Sequence, residues 1–277
     1  MSPSNNGLDN PDLAEASNTS SMALPGLRRL DKRLEAIFQW ASLSQYDDIY
    51  DLCCDHGRLG IHLHRNFPEA RVHLVDQVPK IIHALKSKFH YLDQNNIRFT
   101  CAKAEALSFD ITGRKLFIIA GVGGETAIEI LNSLLEKIHN KRRLSGAVDT
   151  NGVNTVSRDL PTIDFIISPN SHVYHLRKYL RLKRLSLVDE AFIQSNGRYH
   201  EHLWLKYSTD ALGMNSESLP IVSAVGEKIW QLPSAIHKDY IQKLLQHYTR
   251  VSQHHACEMS KEALVEYKKL QCQLFSS

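Results

Sequence analysis

The chain has no run of apolar residues approaching the roughly 20 that a membrane-spanning helix needs, and this excludes a helical membrane protein. Residues 1–25 are short of large apolar side chains and rich in Ser, Asn, Asp and Pro, with no basic end leading into an apolar stretch. That composition excludes an ordinary secretory signal and predicts a disordered leader. Cysteine is scarce: Cys53, Cys54, Cys101, Cys257 and Cys272 are odd in number and none shows CxxC spacing. A disulfide framework and a closed zinc site are therefore not expected; a reducing cytoplasm and a metal-free protein are. Charge of one sign is not in excess either. A net charge of +3 over 277 residues implies that any nucleic-acid contact has to come from local clusters.

What is present is enough apolar material, 43% of the chain, to bury a large core. From residue 27 to 43, Leu27, Leu30, Leu34, Ile37, Phe38 and Ala41 recur at helical spacing with basic residues between them, which predicts an amphipathic helix with a positive face. Short apolar runs at 49–53, 70–75, 97–101, 116–120 and 163–167 alternate with helical or turn segments. This alternation predicts a parallel sheet covered on both faces. Two more runs, 185–193 and 202–207, follow without a helix between them, and Ser195, Asn196 and Gly197 supply turn residues, so an antiparallel hairpin is expected to close a mixed seven-stranded sheet. A polar stretch at 144–161 reads as a long mobile loop. Residues 234–277 contain neither Pro nor Gly and carry two apolar seams at spacings of three and four. A break near residues 253–255 would fold them into an antiparallel coiled-coil hairpin. The expected organisation is a leader over 1–25, an α/β domain over 26–210 and a C-terminal helical domain over 211–277.

Open α/β sheets bind ligands at the carboxyl ends of their strands, so the residues there are the candidates. The first strand runs through Asp51 into Cys53, Cys54, Asp55, His56 and Gly57, and the G-x-G-x-x-G of dinucleotide enzymes is missing from this turn. Hydride transfer is thereby disfavoured. The second strand ends at Asp76, a position from which a carboxylate accepts hydrogen bonds from ribose hydroxyls. Ala104, Glu105 and Ala106 follow the third strand, and the fourth ends in Ala120, Gly121, Val122, Gly123 and Gly124, where glycines permit close approach of a ligand or of another segment of backbone. Adjacent Cys53 and Cys54 point in opposite directions, so a metal-binding or reactive pair is not expected. His62, His64, His254, His255 and Cys257 have solvated or packing roles rather than metal spacing.

The strings LDKRLEAI, DLCCDHGRLG, IAGVGGETAIEIL, IISPN, HLRKYL and RYHEHLWL, in this order, resemble the TrmK family of bacterial tRNA (adenine-N1)-methyltransferases over roughly residues 28–275. The resemblance implies a Rossmann-like class I methyltransferase fold, S-adenosylmethionine as cofactor and an adenine of the tRNA D-arm region as acceptor. It also implies that Asp51, Cys53, Asp76, Gln77, Ala104, Glu105, Ala120, Gly121 and Gly123 frame the cofactor, with Asp55, His56 and Asn170, and Arg33 beside them, facing the acceptor. Three departures stand out. Cys53 replaces a glycine of the family's first-strand motif, Asp76 replaces the usual Glu, and Ala104 and Ala106 replace glycines around the third-strand acid.

Basic residues cluster at Arg28, Arg29, Lys32 and Arg33, at Lys141, Arg142 and Arg143, and from Arg177 to Arg184. Such runs are either solvated helix faces or phosphate-tracking surfaces. Arg28, Arg29, Lys32, Arg33 and Arg177 are the expected RNA contacts, and the protein is expected to act as a cytoplasmic monomer away from membranes. A methyltransferase with another acceptor, and a catalytically degenerate RNA- or partner-binding domain, are the competing readings.

Overall fold

A computed structural model of the chain describes residues 28–92, 95–145, 162–183, 185–207, 222–254 and 257–275. Five parallel strands form the centre: β1 (Asp48–Leu52), β2 (Arg71–Asp76), β3 (Ile97–Cys101), β4 (Lys115–Ala120) and β5 (Ile163–Ser168). Every residue of β1, β4 and β5 is buried, which is why each reads as a continuous apolar run rather than an alternating one. β6 (Leu185–Ser195) and β7 (Arg198–Tyr207) complete the sheet in the order β3-β2-β1-β4-β5-β7-β6, with β7 antiparallel to β5. Asn196 and Gly197 both have positive φ, 52° and 73°, as a tight two-residue hairpin turn requires. The mixed seven-stranded, Rossmann-like sheet expected from the sequence is the one observed.

Helices cover both faces. On one side α1 (Lys32–Ala41), α2 (Arg58–Asn66) and α3 (Pro79–Lys88) bury Ile37, Leu59, Ile61, Leu63, Ile82 and Leu85 against the strands. On the other, α4 (Gly124–Ser145) and α5 (Val173–Leu180) bury Ala127, Leu131, Leu134, Leu176 and Leu180. Chain order reverses between β1 and β4, and this opens the crevice in which such sheets hold ligands. The first helix begins later than its apolar periodicity suggests. Asp31 is its N-cap, its side chain accepting from the Leu34 amide at 3.0 Å, so Arg28 and Arg29 precede the helix and do not lie on its face. The expected leader over 1–25 lies outside the described residues, as do residues 146–161 of the expected polar loop.

Helices α6 (Ala235–His254) and α7 (Glu258–Phe275) form the C-terminal pair, separated close to the expected break. A third apolar cluster, including Tyr240, Ile241, Tyr248, Ala263 and Tyr267, joins them to Tyr174 of α5 and to Trp230. A buried ion network runs through this junction. Arg177 is wholly buried; its Nε donates to Glu201 at 2.7 Å, its Nη1 lies 2.7 Å from Glu190, and the Tyr240 hydroxyl donates to Glu201 at 2.7 Å. Burial opposes the charge of Arg177, but Glu201 and Glu190 more than offset it and hold its pKa above the usual range. The expectation that Arg177 contacts RNA is therefore corrected. Its helical phase turns it inward to acids on β6 and β7, while Arg181 stays exposed.

Removing the cation would leave two carboxylates buried without it. Arg177→Met is expected to lower unfolding free energy by about 3–5 kcal/mol, read from urea denaturation. A loss below about 1 kcal/mol would mean that the network is incidental to the C-terminal junction.

Candidate active site

The turn after β1 is built from left-handed backbone. Cys53, Asp55 and Gly57 have φ of 58°, 48° and 65°, although only one of them is glycine. Two acids hold this turn. Asp76, 7% exposed at the end of β2, accepts from the Asp55 amide at 3.1 Å and from the Val78 amide at 2.9 Å. Asp51 accepts from the Gly60 amide at 2.9 Å, drawing the start of α2 over the end of β1. At Gly57 a Cβ would stand 2.8 Å from side-chain atoms of both Leu74 and Leu85, so glycine answers both the backbone angle and the close packing.

The glycine loop after β4 is zipped to the loop after β5. The Asn170 amide donates to the Val122 carbonyl at 2.8 Å, its side-chain Nδ2 donates to the Gly121 carbonyl at 2.6 Å, and the Gly124 amide donates to the Ser171 carbonyl at 2.9 Å. A Cβ on Gly124 would lie 2.4 Å from the His172 carbonyl oxygen, and one on Gly123 would lie 3.2 Å from the Ser171 hydroxyl. Close chain packing thus accounts for Gly124 and bears on Gly123, while Gly121, at φ 83°, borders the crevice.

Between these loops is a cavity of about 380 Å³. Of the expected site residues it brings together Asp51, Cys53, Asp55, His56, Ala120, Gly121 and Asn170. Arg33, expected beside the acceptor-facing residues and among the RNA contacts, belongs here as well. Its side chain lines the cavity, its Nη1 is buried without a hydrogen-bond partner, and its carbonyl is held by His202 Nε2 at 3.1 Å. Arg28, Arg29 and Lys32 remain exposed. Asp76, Gln77, Ala104, Glu105 and Gly123 are not in the cavity wall. The carboxylates of Asp76 and Glu105 nevertheless come close enough to Cys53 to act on its thiol; burial first, then these acids and Asp51, push that thiol up to about 11. Cys53 is thus a neutral thiol and no nucleophile at neutral pH. Asp55 and His56 are open, with side chains 68% and 82% exposed and 3.8 Å apart.

Some supports gave no local sequence signal. Ser133 and Lys137 of α4 reach across to donate to the Glu105 carbonyl, and Lys137 also donates to that of Leu107 at 2.9 Å, so the turn after β3 is held from a helix about 30 residues away. Arg58 and Asp31 line the cavity too, placed there by the start of α2 and the cap of α1.

Burial pushes the Asp51 carboxyl up to about 7, opposed by the Gly60 amide and Arg33 and reinforced by Asp76 and Asp55. A folded-state pKa raised above the ordinary aspartate value means that the unfolded chain ionises first. Stability from this group is then complete in acid and lost as pH rises through the window from about 4 to about 7. Asp51→Asn keeps an acceptor for Gly60 and removes the titration. Its melting temperature should match wild type near pH 4 and exceed it above pH 7, by a margin worth no more than about 4 kcal/mol. Parallel melting curves across that window would place the Asp51 pKa in its ordinary range.

Comparison with known proteins agrees with this architecture. Residues 30–145 match the family model described as a methyltransferase domain. The tRNA (adenine(22)-N(1))-methyltransferase of Bacillus subtilis (strain 168) is 26% identical over 152 residues, 53% of this chain and 55% of the relative, so the match spans about half of that protein's length. The crystal structure of TrmK from B. subtilis superposes with a TM-score of 0.60 at 19% identity, covering 89% of this chain and 97% of that one. A Streptococcus pneumoniae structure in complex with S-adenosyl-L-methionine gives 0.59 at 18%, covering 87% and 99%. TrmK from M. capricolum in complex with S-adenosyl-homocysteine gives 0.58 at 17%, covering 88% and 97%. Residues 30–145 thus resemble a methyltransferase domain, and the likeness to TrmK is seen in both sequence and fold.

Proposed function

We propose that this chain is an S-adenosylmethionine-dependent methyltransferase acting on N1 of an adenine in tRNA, in the D-arm region. The observation that carries the reading is the cavity at the β1/β4 reversal. It has a buried guanidinium nitrogen of Arg33 without a partner and a buried Asp51 on its inner wall, and the open side chains of Asp55 and His56 on its outer one. The amino-acid end of the cofactor carries a carboxylate and an ammonium, and Arg33 and Asp51 match these two charges. The residues present therefore fit the group: Arg33, Asp51 and Gly121 would hold that end, with Asp76 and Glu105 near Cys53 for the remainder. When bound, the cofactor supplies an electrophilic methyl group.

Adenine N1 has an available lone pair, so the protein needs no strong base to make it reactive; alignment carries most of the rate. Asn170 is fixed by its Nδ2 bond to the Gly121 carbonyl, which leaves its side-chain oxygen to accept from an exocyclic amine and orient the base. Asp55 supplies negative charge where positive charge grows on the methylated ring. Its exposure moderates that contribution until bound RNA excludes water. Arg28, Arg29 and Lys32, exposed just before and at the start of α1, fit phosphate contacts. A second reading, binding without turnover, is favoured by one feature: the Cys53 side chain, where the family has glycine, occupies the cavity wall.

Incubating the purified chain with unmodified tRNA and labelled cofactor, followed by nucleoside mass spectrometry, is expected to yield N1-methyladenosine. Failure to bind cofactor would leave only the second reading. Within the first, Asp55→Asn should keep cofactor affinity within about two-fold while single-turnover transfer falls roughly 10- to 100-fold. Arg33→Met should instead weaken cofactor binding by about ten-fold or more. Equal turnover in the Asn variant would remove Asp55 from the chemistry.

A further inference from the structure

Beyond the wall formed by Asp55, His56 and Arg58, which line both spaces, lies a second cavity of about 630 Å³ that the reading above does not use. Its size falls within the roughly 300–1,000 Å³ of ligand sites. Its chemistry is mixed. Ile81, Ala84 and Phe89 give it an apolar face along α3, while Arg28, Lys80 and Lys88 set cations around it. Arg28, Lys80, Ala84 and Lys88 are exposed. Phe89 is 1% exposed and forms a floor rather than a free platform. Tyr91, 49% exposed, has its ring centroid 6.4 Å from that of Phe89 and extends the aromatic surface outward.

We propose that this groove seats a nucleotide flanking the target adenine in the same RNA strand, with the base against Ile81 and Ala84 and phosphates among Arg28, Lys80 and Lys88. The inference rests on the RNA reading above and extends it to a specific subsite. Apolar or aromatic surface beside a cationic track is the combination that holds single-stranded nucleotides. A base that reaches a buried methyl group has to leave its stack, so its neighbours lose a stacking partner and must be taken up near the mouth of the site. The groove shares a wall with that mouth. Asp55, the acid of the shared wall, repels phosphate and leaves the α3 side, with Lys80 and Lys88, for the backbone.

The test uses the full chain and an unmodified tRNA transcript. Ala84→Glu places an acid on an exposed helical position that tolerates it. It should weaken tRNA binding at least about ten-fold by fluorescence anisotropy while cofactor affinity stays within about two-fold. Lys80→Ala should flatten the slope of log affinity against log salt by about 0.7–0.9, as for one phosphate contact. Removing the base on either side of the methylated adenine should weaken binding to wild type for one of the two positions, and should have no such effect on Ala84→Glu. Wild-type tRNA affinity in both variants, with tRNA still methylated, overturns the groove alone and would fit a protein ligand there. Absence of any tRNA methylation by the wild-type chain overturns the function on which the proposal rests.

Discussion

The site depends on holding the chain in a left-handed turn as it leaves β1. Non-glycine residues in that region cost on the order of 1–2 kcal/mol each, and here both Cys53 and Asp55 adopt it. The carboxylate of Asp76 offsets part of this cost by accepting the Asp55 amide at 3.1 Å, a bond to a charged group that contributes roughly 1.5–3 kcal/mol, while its other oxygen is anchored by the Val78 amide at 2.9 Å. The Cys54 amide adds a bond to the Val75 carbonyl at 3.1 Å. These bonds hold the turn on its course with non-glycine residues at Cys53 and Asp55. What changes at Cys53 is the occupant of the space, a half-buried thiol, and not the path of the backbone. Asp76 consequently serves the turn before it serves any ligand, although each of its oxygens retains acceptor capacity.

Two arginines drawn from clusters that look alike in sequence end in opposite circumstances. Arg33 faces the cavity with one nitrogen unmatched, whereas Arg177 is enclosed by Glu190 and Glu201 from the last two strands. Composition and local charge do not separate these cases, because the partner acids lie 13 and 24 residues beyond Arg177 on other elements. Helical phase separates them only once the sheet's position is known. The same network ties α5, β6, β7 and α6 together, so the C-terminal helices are joined to the sheet by charge as well as by the aromatic cluster around Tyr240.

The strands were legible because full burial on both faces writes each one as an apolar run, and the hairpin was legible because Asn196-Gly197 is turn chemistry. The start of α1 was misread because its apolar and basic periodicity continues upstream of Asp31, where only the cap settles the boundary. At the site, the strand-end residues Asp51, Asp55, His56, Gly121 and Asn170 could be read, and they meet around one cavity. Their supports could not. Lys137 reaching the turn at Glu105, and wholly buried Lys115 pairing with Asp48 at 2.7 Å across 67 residues, are long-range pairings with no local pattern. The TrmK-like motifs point to this loop but carry no sign of the constraint that shapes it.

Buried polar groups distinguish framework from site. Asp76, Glu201 and Asp51 find partners within the chain, as nearly all buried polar atoms do, and act as framework in that sense. Some buried atoms have no hydrogen-bond partner: the Tyr174 and Tyr267 hydroxyls and Nη2 of Arg177 are shut inside the junction with the C-terminal helices. Arg33 Nη1 differs in standing at a cavity wall, about 3.9 Å from the position a side chain on Gly121 would take. An unmatched buried donor destabilises a fold by roughly 1–3 kcal/mol, and a charged one by more. The Nε of Arg58, which lines the same cavity, is likewise buried without a partner, and the Asp51 carboxyl on that wall is pushed up by burial and held down by the Gly60 amide and Arg33. The cavity wall thus gathers unmatched donors beside a buried acid, whereas the acids at the strand ends, Asp51 and Asp76, are paired with amides of the chain.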